Sequence, residues 1–222
     1  MKELKNTIKV LHICIMILLG TTCTSQSIDG QLLGHEYIDL GLPSGTKWAT
    51  HNIGSTKDTD YGEYYAWGEL YSKKFYDIDN YKWYDEDKGL FIKYNYTERS
   101  KGEDILLELA DDVANYTWGN GWRLPTKKEC DELINGCLWT WIKDYKGCGI
   151  SGYIGTSKTN GNTIFFPAAG YKELDDTMEF GEEAYYWTST LYTSASFAYS
   201  FFPKNMGMSR RRWGLLVRAI CK

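Results

Sequence analysis

Residues Trp118-Gly119-Asn120-Gly121-Trp122-Arg123-Leu124-Pro125-Thr126-Lys127-Lys128-Glu129 constrain this chain more than any other stretch. Two glycines break an aromatic turn, and Pro125 biases Leu124 away from the α region, so the chain arrives there extended. Thr126 then stands as an N-cap with Glu129 three residues on, the capping-box spacing that satisfies two orphan donors at a helix start. Cys130, Leu133, Ile134 and Cys137 follow at i, i+3, i+4 and i+7, one face of an amphipathic helix that begins at Thr126 and runs to Asn135.

Periodicity and turn residues order the rest. Tyr37 to Leu40 and Lys47 to Thr50 flank Gly41-Leu42-Pro43-Ser44-Gly45 and predict an opening hairpin. Gly62 to Gly68 reads as a further strand. Residues 70–104 are polar and mixed in charge, so they read as a long excursion outside the core, a variable insert. Asp104 to Tyr116 predicts a second amphipathic helix through Ile105, Leu106, Leu109, Val113 and Tyr116. Leu138 to Ile142 alternates as a strand, and Tyr153–Thr156 pairs with Thr163–Phe166 across the Asn160-Gly161 turn. Ala184–Ser189 and Ser196–Phe202 predict another antiparallel pair. Gly214 to Ile220 is apolar nearly throughout, hence a buried closing strand. Two helices among short strands and long loops make an α+β domain, and 9 Trp, 18 Tyr and 22 Gly against 4 Pro agree with that.

The N-terminus reads as an export signal: Lys2, Lys5 and Lys9 precede an apolar run, Val10 to Gly20, too short to span a membrane comfortably. Leu19-Gly20-Thr21-Thr22-Cys23 resembles a bacterial lipobox with Cys23 as the lipidated residue, although Thr22 departs from the small residue usual there. Ordinary cleavage near Ser25 or Ser27 is the alternative. The expected organisation is a signal over 1–22, a short tether over 23–34, and one domain over 35–222. Losing the net +2 of Lys2, Lys5, Lys9 and Glu3 moves the chain from −4 to −6, which argues against nucleic acid. Cys130, Cys137, Cys148 and Cys221 permit zero to two disulfides, though Cys130 and Cys137 lie two helical turns apart and cannot join each other.

Trp122-Arg123-Leu124-Pro125-Thr126 with Glu129, Glu132 and Leu133 resembles the signature of the Fibrobacter succinogenes major paralogous domain, a family of bacterial surface proteins. Tyr37-Ile38-Asp39-Leu40-Gly41-Leu42-Pro43-Ser44-Gly45-Thr46-Lys47-Trp48, Tyr61-Gly62-Glu63-Tyr64-Tyr65-Ala66-Trp67-Gly68-Glu69, Phe165-Phe166-Pro167-Ala168-Ala169-Gly170-Tyr171, Tyr185-Tyr186-Trp187-Thr188-Ser189-Thr190 and Val217-Arg218 extend the likeness in the right order. The resemblance implies a C-type-lectin-like fold, distantly similar to the formylglycine-generating enzymes, displayed on the outer membrane or cell surface. It implies no particular activity.

Motifs for chemistry are sparse. Met206 to Val217 holds no cysteine where the oxidase relatives carry theirs, and no Gly-x-Ser-x-Gly occurs. His35 and His51 are the histidines beyond the signal; a snug pocket joining His51 to carboxylates would overturn a non-catalytic reading. Asp111-Asp112, Asp175-Asp176 and Glu182-Glu183 read as solvated surface pairs rather than glycosidase acids. Neither a zinc spacing nor the calcium-lectin tripeptides occur, so no metal or cofactor is expected. What remains is a binding module for a glycan or a surface protein, or else a structural part of a surface assembly such as a pilus or fibre tip, with an enzyme of unrecognised type the least favoured reading. Interface hot spots favour Trp, Tyr and Arg, which singles out Arg210, Arg211, Arg212 and Trp213. Fold analogy adds Asn205, Trp187 and Tyr171. The competing view is that Arg212 and Trp213 lock the closing strand onto the core.

Overall fold

The computed structural model describes residues 26–96 and 102–222. The expected export signal, the expected lipidation residue Cys23 and part of the expected insert lie outside the described residues. The body begins earlier than expected: Gly30–Leu32 (β1) pairs antiparallel with His35–Asp39 (β2), so residues 30–34 belong to a sheet rather than to a tether. Lys47–Ala49 (β3) completes the expected opening hairpin, with Ile38 opposite Trp48.

The segment Gly62 to Gly68 is not a strand. Only Tyr65 bridges, to Leu215; Glu63 and Trp67 donate their backbone N–H groups to the Ile53 and Arg211 carbonyls, Trp67 donates its indole N–H to the Thr188 carbonyl (2.8 Å), and Trp187 donates to the Tyr65 carbonyl (2.7 Å). The insert is corrected more deeply. Its described residues include a short hairpin, Tyr84–Asp85 (β4) with Leu90–Phe91 (β5). Its tyrosines Tyr76, Tyr81 and Tyr94 are buried, so it supplies core as well as loop. Tyr76 and Tyr81 donate their hydroxyls to the Tyr64 and Trp67 carbonyls (2.6 and 2.7 Å).

The predicted helix over Asp104 to Tyr116 shrinks to Val113–Trp118 (α1) after a single 3-10 turn at Leu109–Asp111. Ile105 to Leu107 instead run extended beside the strand Tyr186–Leu191: Leu107 donates its N–H to Ser189 (2.8 Å), and Leu191 donates to Ile105 (2.8 Å). An apolar row read at helical spacing is here a strand-like edge. Asp112 caps α1, accepting from Ala114 and Asn115, and its second oxygen accepts from Leu124 (2.7 Å). Asp111 and Asp112 are therefore buried structural acids, not solvated ones.

The capping box forms as its spacing requires. Lys127–Gly136 (α2) starts at Thr126, whose hydroxyl accepts from the Glu129 N–H while the Glu129 carboxylate accepts from the Thr126 N–H (2.9 Å). Cys130 and Leu133 are fully buried and Ile134 half so, the face the periodicity marked. Cys137–Ile142 (β6), Gly152–Ser157 (β7) and Thr163–Pro167 (β8) form an antiparallel sheet in which the expected hairpin is β7–β8. Tyr171–Glu173 (β9) pairs with Asp176–Met178 (β10). Gly170 leads into it at φ +60, and a Cβ there would collide with the Met178 carbonyl oxygen, so only glycine fits.

Tyr186–Leu191 (β11), Phe197–Phe202 (β12) and Asn205–Arg210 (β13) make the third sheet, and α2 lies against it. The closing segment is buried from Gly214 to Cys221, as its apolarity predicts, but it is not one strand. Gly214 bridges Lys172, Leu215 bridges Tyr65, Leu216 bridges Tyr186, and only Ile220–Cys221 (β14) pairs regularly, with β3. Within it Arg218 is fully buried. Its guanidinium donates to the Asn52 side chain (2.8 Å) and to the Ala49, Thr50 and Phe165 carbonyls (3.1, 3.3 and 2.9 Å), and lies 4.5 Å from the Phe166 ring centre. The described cysteines are all free, Cys148 exposed and the others buried.

Two substitutions test this scaffold in urea unfolding. Thr126→Ala should cost about 1 kcal/mol, the loss of a capped helix N-terminus; no change would mean the cap contributes nothing here. Arg218→Met keeps the apolar stem but takes the guanidinium donors away from the Asn52 side chain and from the Ala49 and Phe165 carbonyls, while the Thr50 carbonyl keeps its bond from Gln26, so a loss of about 2 kcal/mol or more is expected.

Candidate functional site

The residues singled out around the third sheet meet different fates because β13 alternates and then turns. Ser209 points inward, its hydroxyl 2.9 Å from that of Ser200, so Arg210 points out to solvent. Arg211 turns back in and is completely buried. It donates to the Tyr81 hydroxyl (3.0 Å) and to the Lys93, Tyr94 and Ala195 carbonyls (3.0, 3.2 and 2.7 Å), among the rings of Trp67, Tyr81 and Phe91. Trp187 is likewise buried, its indole N–H spent on Tyr65. Arg211 and Trp187 are thus corrected from ligand-facing to core residues. Residue type singles out Arg211 and fold analogy singles out Trp187, and neither reports which way a strand faces.

Tyr171, Trp213 and Asn205 do belong to one neighbourhood. Trp213 stacks on Tyr171 (4.7 Å between ring centres, 28° between planes), Tyr171 meets Tyr185 edge-on (5.0 Å), and Tyr185 meets Phe202 edge-on (4.8 Å). This ladder of four half-buried rings ends at a cleft of about 240 Å³ lined by Tyr153, Glu183, Tyr185, Phe202, Lys204 and Asn205. The Lys204 ammonium sits 4.7 Å from the Tyr153 ring centre. Tyr185 donates to Glu179 (2.6 Å), and burial together with that carboxylate pushes its phenol upward, so it stays a protonated donor. An apolar floor with a few convergent amide, carboxylate and ammonium groups can stack a flat apolar ligand face and fix its hydroxyls. Tyr153, Glu183, Tyr185, Phe202 and Lys204 were not singled out from sequence. Phe202 ends β12 opposite Asn205, which opens β13, and Lys204 lies in the turn between them, so their nearness to Asn205 is the available signal.

Arg210 and Arg212 line a different pocket, described below. Trp213 and Arg212 also bear on the closing segment: Arg212 donates to Glu173 (3.2 Å), and the Trp213 stack covers β9.

The histidines lie elsewhere. His51 is buried, 3.0 Å from the Thr50 hydroxyl through Nδ1, and its ring packs 5.2 Å from Trp118. It borders a cavity of about 130 Å³ with Gln26, Glu36, Asp58 and Lys146. Histidine and carboxylates therefore share a small cavity. Yet Asp58 accepts from the Tyr145 hydroxyl (2.8 Å) and Lys146 (2.7 Å), and no carboxylate bonds His51 among the described residues. The orienting contact of a triad is missing there. Burial, then the Arg218 charge, lower the His51 pKa to about 4, so the ring is neutral at pH 7. Among the described residues no group of three or more His, Cys, Asp or Glu converges to hold a metal. Asp175, Asp176 and Glu182 are exposed, and Glu183 is half-buried at the cleft.

No family model matches the chain, and neither a curated protein nor a solved structure matches it.

The lowered pKa makes a signed prediction. Between the unfolded value of 6.5 and the folded value near 4 the unfolded chain binds the extra proton, so stability falls as pH drops through that window. His51→Asn should remove about 1 to 2 kcal/mol of the loss at pH 5 relative to pH 7.5. Asp112, raised by burial to about 6, acts in the opposite sense and cancels in the comparison. Parallel pH profiles for the two proteins would show that His51 protonates freely.

Proposed function

We propose that this chain is a non-catalytic, exported binding module of C-type-lectin-like fold, tethered through a lipidated Cys23 or released, and that its ligand is a glycan. The family resemblance of the Trp122–Glu129 signature and the lipobox-like run support display on the cell surface, in the manner of an adhesin. The observation that carries the ligand class is the ring ladder Trp213–Tyr171–Tyr185–Phe202 running into a cleft edged by Asn205, Lys204 and Glu183. Tyrosine and tryptophan present large rigid faces at little entropic cost, and the polar edge satisfies hydroxyls that a purely apolar groove would reject.

The small antiparallel sheets are compatible with an α+β body, and helix α2 braces the sheet in which Asn205 opens β13. Recognition in this reading needs no bond-making step: the cleft offers stacking and hydrogen bonding.

A glycan array probed with the purified protein should return neutral oligosaccharides, and Tyr185→Ala should weaken each hit about tenfold or more while circular dichroism stays unchanged. Asn205→Ala, at an exposed position, should weaken the same hits without touching the fold. Binding that survives both substitutions would place recognition outside this cleft.

A further inference from the structure

We propose that Arg210 and Arg212 form a second subsite, which takes a sugar residue bearing an anionic substituent, a carboxylate or a sulfate. The pocket measures about 290 Å³, and its lining includes Ile78, Tyr84, Phe91, Ser196, Arg210 and Arg212. That is close to the lower bound of ordinary small-ligand sites and of monosaccharide scale. The walls come from the insert hairpin β4–β5 on one side and from the end of β13 on the other, so the pocket exists only because the insert docks on Arg211.

Its charge is what distinguishes it. Arg210 is exposed and forms no ion pair among the described residues; its guanidinium rests 5.6 Å from the Phe197 ring centre. Arg212 is mostly buried yet poorly matched. Its hydrogen bond among the described residues is the one to Glu173, and its buried Nε lies 3.9 Å from Asp77, too far for a hydrogen bond. Arg211, just behind Phe91, adds a third positive charge that is satisfied by neutral acceptors only. Against these three guanidiniums stand Asp77 and Glu173, both engaged with Arg212; Asp85 of the hairpin is paired with Lys88, and the hairpin turn also carries Glu86 and Asp87, both exposed to solvent. A planar guanidinium fork binds an oxyanion through two parallel donors, which a hydroxyl cannot match. Tyr84 and Phe91, at 5.3 Å edge to face, and Ile78 supply the apolar surface for the ring that carries the anion, and the Ser196 hydroxyl supplies a neutral hydrogen-bonding group. Two accessible arginines suit one substituent and not a polyanion, because Arg211 is withdrawn from the run.

The inference deepens the glycan reading but uses different residues, so the two fail separately. Calorimetric titration of the full chain with three matched oligosaccharides, uronate-terminated, sulfated and neutral, is the test. At least one anionic form should bind about tenfold or more tighter than the neutral one, the factor expected for one charge-assisted hydrogen bond, with the preference shrinking as salt rises. Preference for the uronate or for the sulfate tells which oxyanion the fork prefers. Arg210→Gln, at an exposed site that cannot unfold the chain, should abolish most of the preference while leaving neutral binding intact; Arg212→Gln should do the same. Equal binding of all three sugars, or a preference untouched by Arg210→Gln, overturns the subsite. Anionic binding that persists in Tyr185→Ala, with neutral binding absent throughout, would retain this subsite and refute the cleft.

Discussion

Two guanidiniums buried without a carboxylate partner hold this structure together. Arg218 binds the carbonyls of Ala49 and Thr50 from the opening hairpin, Asn52 beyond it, and Phe165 of β8. Arg211 binds Lys93, Tyr94 and Ala195 and the Tyr81 hydroxyl. Each gathers segments remote in sequence, up to 169 residues away for Arg218 and 130 for Arg211, onto acceptors that are mostly backbone carbonyls. The sheets have four strands at most, and the closing segment changes partner almost residue by residue. Such a body cannot satisfy its buried carbonyls by ladders alone. A five-donor fork does at one point what a strand would do along its length. Burial lowers the proton affinity of both, but arginine stays charged where lysine would be neutralised.

The same constraint explains how function is positioned. Arg211 draws in the insert, and the docked insert forms one wall of the charged pocket. Gly170 admits the close approach of the Met178 carbonyl and so leads the chain into β9, where Tyr171 lies under Trp213. The aromatic ladder is then built from four separate segments, β9, the lead into β11, the end of β12 and the turn after β13. No one of these could hold its ring rigidly by itself; edge-to-face contacts at about 5 Å fix them jointly.

What was legible in the sequence was local. The capping box is a three-residue relation, the β7–β8 hairpin is announced by Asn160-Gly161, and the burial of 214–220 follows from its apolarity. The insert was misread because its order comes from phenol and indole groups donating to distant carbonyls, such as Tyr81 to Trp67 and Trp83 to Gly68, which leave no periodic trace. Ile105 and Leu106 were misread because an apolar pair fits a helix face and a strand edge equally, and β11 provides the edge. Asp111 looked solvated, yet Tyr94, Lys82 and Lys93 meet it inside the body. In the candidate site, Tyr171, Trp213 and Asn205 fall together, whereas Arg211 and Trp187 face the core.

The run Arg210-Arg211-Arg212 shows why charge counted along a sequence misleads. Three like charges in a row read as a weak basic patch, to be matched by an extended polyanion. In a strand, however, neighbours face opposite ways, and the turn after β13 rotates the third side chain again. Arg210 therefore meets solvent, Arg211 meets carbonyls and aromatic rings, and Arg212 meets Glu173 and a pocket wall. One member of the run serves stability outright, one is shared, and one is free. Placing the charge inside also avoids the repulsion that three exposed guanidiniums would bring, because Arg211 is separated from the others by Phe91 and the backbone it binds. The electrostatic consequence is a small positive focus rather than a broad patch, which is the geometry that the proposed single anionic substituent calls for.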